Sequence, residues 1–377
     1  MSRENLLMVA DSERDADMLY AVRTFVHDPF IWFTHKGSPS VVVGDPELLR
    51  LRTEAPHCRV LPYSRYERTL QRTHGGDPVG LGDVLVAVLK AHRIRKVTVA
   101  ETFPLGLAKA LRSRRIKVKL RPGPFFPDRA WKSSDEVNKI SAALVMAEVG
   151  LAEGLHALRR SRPGKAGHLM LGQSPLTADR LRAIIDTSIL EAGGQPCHTI
   201  VAGGQQGGDP HRRGHGPLKA NQPIVIDLVP RSLRTGYYAD ITRTVVRGRA
   251  SDFVRRMYAA VADAQTEAIR LARAGSPSAD VHRATAARLR DAGFKTLRRT
   301  GRVEGFFHPT GHGLGLAVHE PPRLSAHSRD VLRAGHVIAV EPGLYYPEVG
   351  GVRLEDVVLV TRSSPRTLTR FEKQLEI

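Results

Sequence analysis

The sequence predicts an α+β protein of two domains, and three observations lead to this fold class. The first third alternates strand-like and helix-like segments, as residues 96–120 do with a strand, a helix and a second strand. A segment rich in proline and glycine follows at residues 121–134 and is typical of a linker. The remainder runs from helices to strands, then to helices and strands again, which indicates an α+β domain. We therefore predict a smaller α/β domain over residues 1–125 and a larger α+β domain over residues 126–377.

The strands and the helix of the smaller domain are predicted from local pattern. Residues 30–44 contain two apolar, β-branched runs on either side of Gly37 and Ser38, which predicts two strands joined by a turn. The valine-rich segments 96–101 and 116–120 predict two further strands with a helix between them.

The helices of the larger domain begin with a capping signal. Ser133 and Glu136 have the spacing of a capping box, in which each side chain satisfies a backbone amide at the helix start. The segment after them is apolar at helical period, which predicts one long helix. Further helices are predicted over residues 176–194 and near residues 252–273 and 278–292.

Later segments of the larger domain predict strands. They are residues 223–229, 237–246, 336–346 and 352–361. The turn residues of 230–236 would join the first two of these strands as an antiparallel pair.

The charge balance is strongly basic. The chain has 377 residues, with 57 Lys and Arg against 38 Asp and Glu, a net charge of +19. Such a charge can indicate nucleic-acid binding. The basic clusters at residues 92–96, 112–119, 159–165 and 297–299 are nevertheless spread along the chain, and no aromatic RNA-binding motif accompanies them. We therefore expect a solvated basic surface and no nucleic-acid partner.

Other compositional features exclude several classes of protein. Cys58 and Cys197 are far apart and outside any CxxC pattern, which excludes a thiolate zinc site and a disulfide framework. No apolar run approaches the roughly 20 residues of a membrane span, so no membrane partner is expected. The first residues lack a basic start followed by an apolar stretch, so we expect no secretory signal and a cytoplasmic location.

Carboxylates interrupt strand-like segments that otherwise resemble core. These are Asp227, Asp240, Glu341 and Glu355. A single carboxylate of this kind is usually a satisfied structural residue, because an unpaired buried charge is costly. Four in one domain need a shared source of positive charge, and the basic residues nearby are only Arg353 and Arg243.

Two divalent cations would balance four carboxylates. A carboxylate that bridges both ions holds them roughly 3.5–4 Å apart. His312 would supply one nitrogen ligand, and Gly311, Gly313 and Gly315 are expected to let the backbone come close to the site. An oxygen-rich set with one imidazole suits Mn²⁺ and similar ions.

In order and in local context, these residues resemble a known ligand set. From about residue 130 onward, the chain resembles the pita-bread metallopeptidases, the family of methionine aminopeptidase, aminopeptidase P and prolidase. Its ordered ligands Asp, Asp, His, Glu and Glu correspond to Asp227 in IDLVP, Asp240 in ADITRT, His312 in GHGLGLAVHEPP, Glu341 in VEPGLY and Glu355 in GVRLED. The first third is similar in layout to the N-terminal domain of the aminopeptidase P, prolidase and creatinase branch. The resemblance implies a C-terminal pita-bread domain and a smaller N-terminal α/β domain of creatinase type.

The resemblance also implies how the metals are held and used. One ion would be held by Asp227 and Asp240 and the other by Asp240, His312, Glu341 and Glu355, with Asp240 and Glu355 bridging. The ions would be Mn²⁺, or alternatively Co²⁺ or Zn²⁺. A metal-bridging hydroxide would attack the N-terminal bond of an Xaa-Pro peptide or dipeptide, and Glu341 would move the water proton.

Further site residues follow from the same resemblance. His211, His308 and His319 match positions that family precedent assigns to the substrate carbonyl, the developing charge and the proline side. Arg353 lies two residues before Glu355 on the same strand face, so we expect it to orient that carboxylate.

Two other functions stay open. A creatinase-like enzyme hydrolyses a small guanidino compound without metal, and some pita-bread relatives have lost ligands and act as non-catalytic binding modules. Both normally show damaged ligand sets, whereas the set in this sequence is intact. The resemblance further implies a homodimer.

Overall fold

The computed structural model describes residues 4–72, 78–299 and 301–377. The chain divides into two compact units, Met1–Asp128 and Arg129–Ile377.

The smaller unit is built on a mixed sheet. Its strands are β1 (Leu7–Ala10), β2 (Phe30–His35), β3 (Ser38–Val43), β4 (Arg59–Pro62), β5 (Lys96–Val99) and β6 (Lys117–Leu120). Its helices are α1 (Ala16–Val22), α2 (Leu48–Glu54), α3 (Tyr63–Gln71), α4 (Leu81–Ala91) and α5 (Leu105–Ser113). Strands β1 to β4 are neighbours in chain order, β5 and β6 are parallel, and Leu6 bridges Thr98 to connect the two groups.

Successive strand residues face opposite layers of this unit, as the period of a strand requires. Ile31 and Phe33 pack in the core that includes α4 and α5. Trp32 lies between them in sequence and packs in the core that includes α1 and α2. The sheet is therefore covered by helices on both faces, which is the α/β arrangement that the sequence predicts.

The larger unit alternates long helices with short strands. Its helices are α6 (Ser134–Arg160), α7 (Ala178–Glu191), α8 (Asp252–Leu271) and α9 (Ser278–Asp291). Its strands up to α9 are β7 (Arg162–Pro163), β8 (Leu169–Leu171), β9 (Ser174–Pro175), β10 (Gly194–Gln195), β11 (Ile200–Gly203), β12 (Pro223–Leu228), β13 (Arg231–Ser232) and β14 (Ile241–Val246). The later strands are β15 (Leu297–Arg299), β16 (Arg302–Glu304), β17 (Gly311–Gly313), β18 (Glu320–Leu324), β19 (Val337–Val340), β20 (Gly343–Tyr346), β21 (Gly350–Arg353), β22 (Asp356–Leu359) and β23 (Arg366–Thr367).

Helix α6 begins at the predicted capping box, which the structure confirms. The Ser133 side chain accepts a hydrogen bond from the Glu136 amide, and Glu136 accepts one from the Ser133 amide at 2.8 Å. In the middle of α6, a side chain at Gly150 or Gly154 would clash with isoleucines of α7, so the two helices pack at close range. By length and apolar composition α6 could cross a membrane, but half of its most apolar window is buried, as in a core helix.

The predicted acidic residues lie within or at the ends of strands that belong to two sheets and a hairpin. One has the strand order β11-β12-β14, and its central pair β12 and β14 is antiparallel, as predicted. The other has the order β18-β17-β19-β22-β23, and β20 and β21 form a separate hairpin.

The structure corrects three of the predicted strands. Residues 336–346 and 352–361 are not continuous strands, because each breaks where the chain leaves one sheet and enters another. Glu341 and Glu355 lie at these two breaks, and Asp240 precedes β14 rather than lying inside it. At a break a side chain is not held in the alternating pattern of a ladder, so all three carboxylates can turn toward one point.

Helix α8 holds the two breaks together. The buried Gln265 side chain donates hydrogen bonds of 3.0 Å to the carbonyls of Val340 and Leu354. These carbonyls belong to the residues immediately before Glu341 and Glu355. One amide group therefore fixes the backbone positions from which both glutamates extend.

Candidate metal centre

The structure brings together predicted ligands that lie far apart in sequence. The ligand atoms of Asp240, His312 and Glu355, all buried, lie within 4.8 Å of one another. Glu341 joins this group, since its Oε1 atom lies 3.5 Å from Nε2 of His312. Asp227 lies on β12 opposite Thr242, two residues beyond Asp240.

His312 presents one ring nitrogen to the carboxylates. Its Nδ1 donates to the carbonyl of Gly313 at 3.1 Å, so the proton lies on that nitrogen and Nε2 keeps its lone pair. Nε2 lies 3.7 Å from Oδ2 of Asp240. Burial, followed by the charge of His319, lowers the pKa of His312 to about 4, and the ring is therefore neutral at neutral pH.

The glycines around His312 serve a different purpose from the one predicted. A β-carbon at Gly311 would lie 1.9 Å from the Ala339 carbonyl oxygen, and one at Gly313 would lie 2.3 Å from that of Pro321. The space is thus filled by the neighbouring strands β19 and β18. These glycines let the strand that carries His312 pack between its neighbours, rather than leaving room for a ligand.

Two carboxylate oxygens in the site are buried without a partner among the described residues. They are Oδ1 of Asp227 and Oε1 of Glu355. The other oxygen of Glu355 accepts a hydrogen bond from Thr242 at 2.7 Å, and the other oxygen of Asp227 accepts one from Arg353 at 2.6 Å. Each carboxylate is therefore oriented by one oxygen and offers the second, and an unsatisfied buried acceptor is costly unless a cation binds it.

The raised pKa values of the carboxyl groups in the site indicate the same shortage of positive charge. Burial raises the pKa of Asp240 well above its usual value, and the charges of Glu355 and Asp227 raise it further. Burial, with the charges of Glu341 and Asp227, does the same to the pKa of Glu355. The pKa of Glu341 is raised to about 7, again mainly by burial. Four carboxylates and one neutral imidazole form the donor set of a divalent-cation site, so the residues present fit such ions.

Arg353 is at the centre of a hydrogen-bond network, but its carboxylate partner is Asp227 rather than the predicted Glu355. The predicted shared strand face of Arg353 and Glu355 does not form, because β21 ends at Arg353 and Glu355 lies in the break before β22. The guanidinium also donates to Thr242 at 3.2 Å and to the Tyr345 hydroxyl at 2.9 Å.

Tyr345 extends this network and was not identified from the sequence. Its buried hydroxyl lies 3.0 Å from Nε2 of His308, whose Nδ1 donates to the Pro309 carbonyl at 2.8 Å. Since Nδ1 of His308 carries the proton, Nε2 accepts a hydrogen bond from the Tyr345 hydroxyl. Burial and the charge of Arg353 lower the pKa of His308 to about 3. Both ring nitrogens of His308 are therefore occupied by hydrogen bonds, and His308 contacts Arg353 through the Tyr345 hydroxyl that both side chains bind.

The other predicted histidines lie at the edge of the site. The exposed ring of His319 packs edge-on against His312, with 4.4 Å between ring centroids. His211 is also exposed, and the carbonyl of the preceding Pro210 accepts a hydrogen bond from Arg353 at 3.3 Å. Both imidazoles are therefore accessible to a substrate.

A buried ion cluster supports the loop that carries His319. Glu320 follows it directly and binds Lys132, and its Oε2 accepts a hydrogen bond from Arg129 at 2.8 Å. The side chain of Lys132 is only 1% exposed. No local sequence motif predicts this ion cluster, because Arg129 and Lys132 precede α6 and Glu320 lies almost two hundred residues later.

Comparisons with known proteins agree with this geometry. The sequence profile of Metallopeptidase family M24 matches residues 138–362, a range that includes all five predicted ligands. The chain is 37% identical over 178 residues to the Xaa-Pro dipeptidase of Pyrococcus furiosus, and the match covers 47% of this chain and 48% of that one. It therefore spans about half the length of that relative.

Solved structures share the whole fold. The X-Pro aminopeptidase from Thermotoga maritima superposes with a TM-score of 0.82 at 22% identity, over 99% of this chain and 97% of that one. The prolidase from Pyrococcus furiosus superposes with a TM-score of 0.78 at 22% identity, over 99% of this chain and 98% of that one. The predicted fold, a pita-bread domain preceded by a smaller α/β domain of creatinase type, is confirmed.

Proposed function

The chain belongs to metallopeptidase family M24, and on this basis we propose that it is a dinuclear metallopeptidase that hydrolyses the N-terminal bond of Xaa-Pro peptides or dipeptides. The observation that carries the proposal is the buried cluster of Asp240, His312 and Glu355, with ligand atoms within 4.8 Å. The oxygens of Asp227 and Glu355 that have no hydrogen-bond partner among the described residues support it, since each is an acceptor that a cation could bind.

The donor set is sufficient for two divalent ions. Asp227 and Asp240 would hold one, and Asp240, His312, Glu341 and Glu355 would hold the other. The bond from Arg353 to Asp227 leaves this assignment intact, because it uses only one of the two carboxylate oxygens. Such ions, when bound, supply Lewis acidity that polarises a carbonyl and lowers the pKa of water. Mn²⁺ suits the oxygen-rich set, and Co²⁺ and Zn²⁺ are the alternatives.

Glu341 is the group of this chain suited to carry a proton. Without bound ions, burial raises the pKa of Glu341 to about 7, and a bound cation would favour the carboxylate, which is the form that accepts a proton. Its side chain is 20% exposed, whereas that of Asp240, the other carboxylate beside His312, is 6% exposed. We propose that it accepts a proton from the attacking water and returns it to the leaving amine.

The substrate class rests on the relatives. One is named an Xaa-Pro dipeptidase, and the superposed structures are named an X-Pro aminopeptidase and a prolidase. We propose that this chain shares the preference for proline after the scissile bond, with exposed His211 and His319 contacting the substrate. The homodimer and the cytoplasmic location that the sequence suggests stay predictions.

The proposal is tested by metal content and by activity on the same preparation. We expect about two equivalents of divalent metal on the purified protein. We also expect hydrolysis of Xaa-Pro dipeptides or longer Xaa-Pro peptides that a chelator abolishes and Mn²⁺ restores, with Xaa-Ala peptides as the matched control. Turnover that survives removal of the metal, or creatine hydrolysis by metal-free protein, would contradict the proposal.

His319→Ala separates catalysis from metal binding. The ring lies against His312 but is not in the metal cluster, so we expect bound metal to be retained while kcat falls at least about 100-fold. The measurements are metal content and steady-state kinetics on an Xaa-Pro dipeptide. His215→Ala, which alters another exposed histidine, is the control and should keep both values. Loss of metal from the His319 variant would make that residue a ligand and disprove its proposed contact with the substrate alone.

A further inference from the structure

The smaller unit carries a concentration of positive charge that the proposed peptidase site does not use. Between residues 84 and 127, eleven lysines and arginines stand against a single acidic residue, Glu101. This stretch contributes +10 of the chain's net charge of +19. Charge of this density in one segment is costly through self-repulsion and favours an anionic partner.

Folding brings two separate basic clusters to one edge of the sheet. Strands β5 and β6 are parallel, and Lys96 at the start of β5 lies directly beside Lys117 at the start of β6. The amide of Lys117 also donates to the Arg95 carbonyl at 2.9 Å. Because parallel strands begin at the same edge, the turns that precede them are adjacent.

The two turns have the same backbone geometry. Arg93 and Arg115 both adopt the left-handed conformation, with φ of 55° and 62°. In each turn the following isoleucine, Ile94 or Ile116, donates to the leucine carbonyl five residues earlier, at 2.8 and 3.0 Å. The two arginines therefore occupy equivalent positions beside each other.

The side chains at this edge are exposed and lack neutralising partners. We call the set the basic edge, and it consists of Arg93, Arg95, Lys96, Arg114, Arg115 and Lys117. Within the described part of the chain none of the six forms an ion pair, whereas Lys119 further along β6 binds Glu4 at 3.7 Å.

We propose that the basic edge binds the phosphate backbone of nucleic acid. Its Lys and Arg side chains supply the donors that phosphates accept, and the segments 92–96 and 112–117 contain no Phe, Tyr or Trp that could stack on bases. Binding is therefore independent of base sequence.

A membrane surface fits the basic edge less well. Stable attachment to a bilayer needs apolar side chains beside the charges. The exposed leucines of this region, Leu105 and Leu120, begin α5 and end β6, and both positions lie at the end of the sheet opposite to the basic edge. From the sequence alone we expect a merely solvated surface because the clusters are separated along the chain, whereas their convergence is a property of the fold.

The proposal is tested by binding of a fluorescently labelled, mixed-sequence DNA duplex at several NaCl concentrations. We expect the logarithm of the association constant to fall linearly with the logarithm of the salt concentration. The double variant Arg93→Gly and Arg115→Gly should reduce that slope by about two and weaken binding at low salt. Glycine adopts left-handed φ freely, so this variant keeps its fold, as thermal unfolding will check.

A matched control removes two charges from the other side of the same unit. Arg23 also has a left-handed φ, of 62°, and Arg52 is exposed on α2, so Arg23→Gly with Arg52→Ala changes the net charge equally. We expect this control to bind DNA with nearly the slope of the parent chain. Equal losses in both double variants, absence of salt-sensitive DNA binding, or binding to phosphatidylserine vesicles or polyglutamate in place of DNA would each overturn the proposal.

Discussion

Asp240→Ala is expected to remove the bound metal and abolish peptide hydrolysis. Asp240 lies at the centre of the cluster, where its ligand atom is within 4.8 Å of those of His312 and Glu355. It is 4% exposed, and alanine supplies no oxygen in place of its carboxylate. Under the proposed assignment it contributes to both ions, and its loss removes a bridge as well as a negative charge.

The Asp240 prediction is checked by metal content and by hydrolysis of an Xaa-Pro dipeptide. Asp240→Asn keeps the volume and removes only the charge, so it should lose metal as well. Asp186→Asn is the control, because Asp186 is a half-buried carboxylate that binds Thr199 at 2.6 Å outside the cluster. Turnover by Asp240→Ala at the parent rate would show that the assignment of a bridging ligand is wrong.

The metal-free protein should reveal the same cluster through its pH-dependent stability. The folded-state pKa values of Asp240 and Glu341 are raised, in the latter from 4.5 to about 7, so folding takes up protons. The stability that these groups contribute is present in acid and is lost as pH rises through the folded pKa values. Metal-free protein should therefore lose stability between about pH 4.5 and 7, and Asp240→Ala should reduce this loss.

Arg353→Met is expected to cost about 3–5 kcal/mol of unfolding free energy, because it leaves buried partners without their donor. Arg353 is 3% exposed, and its guanidinium donates hydrogen bonds to Asp227, Thr242 and the Tyr345 hydroxyl. Methionine keeps an unbranched side chain that replaces only the aliphatic part of arginine, and it donates no hydrogen bond. Hydrolysis should fall as well, since Asp227 loses the contact that orients it.

Urea-induced unfolding of metal-free protein measures the Arg353 effect without the contribution of bound ions. Arg353→Lys keeps the charge and loses the planar set of donors, so an intermediate loss is expected. Tyr345→Phe removes a single hydroxyl of the same network and should cost about 1–2 kcal/mol. If Arg353→Met unfolds at the same urea concentration as the parent chain, the network has no structural importance.

Much of the fold could be predicted because its signals are local. The capping box at Ser133 and Glu136, the helical period of α6 and the antiparallel pairing of β12 with β14 each depend on residues close together in sequence. The break of the predicted strands before Glu341 and Glu355 could not be predicted. It depends on packing against Gln265 of α8, which is 75 and 89 residues away from its two carbonyl partners.

By itself the sequence determined which side chains are available for chemistry. The five donors Asp227, Asp240, His312, Glu341 and Glu355 are recognisable by residue type and by the short segments around them, because ligand chemistry is a property of single side chains. The tertiary structure alone decided which residues become partners. The pairing of Arg353 with Asp227, the contact of Tyr345 with His308 and the convergence of the basic edge all join atoms from different strands. Such contacts depend on how strands are arranged in sheets, and no local pattern in a chain encodes that arrangement.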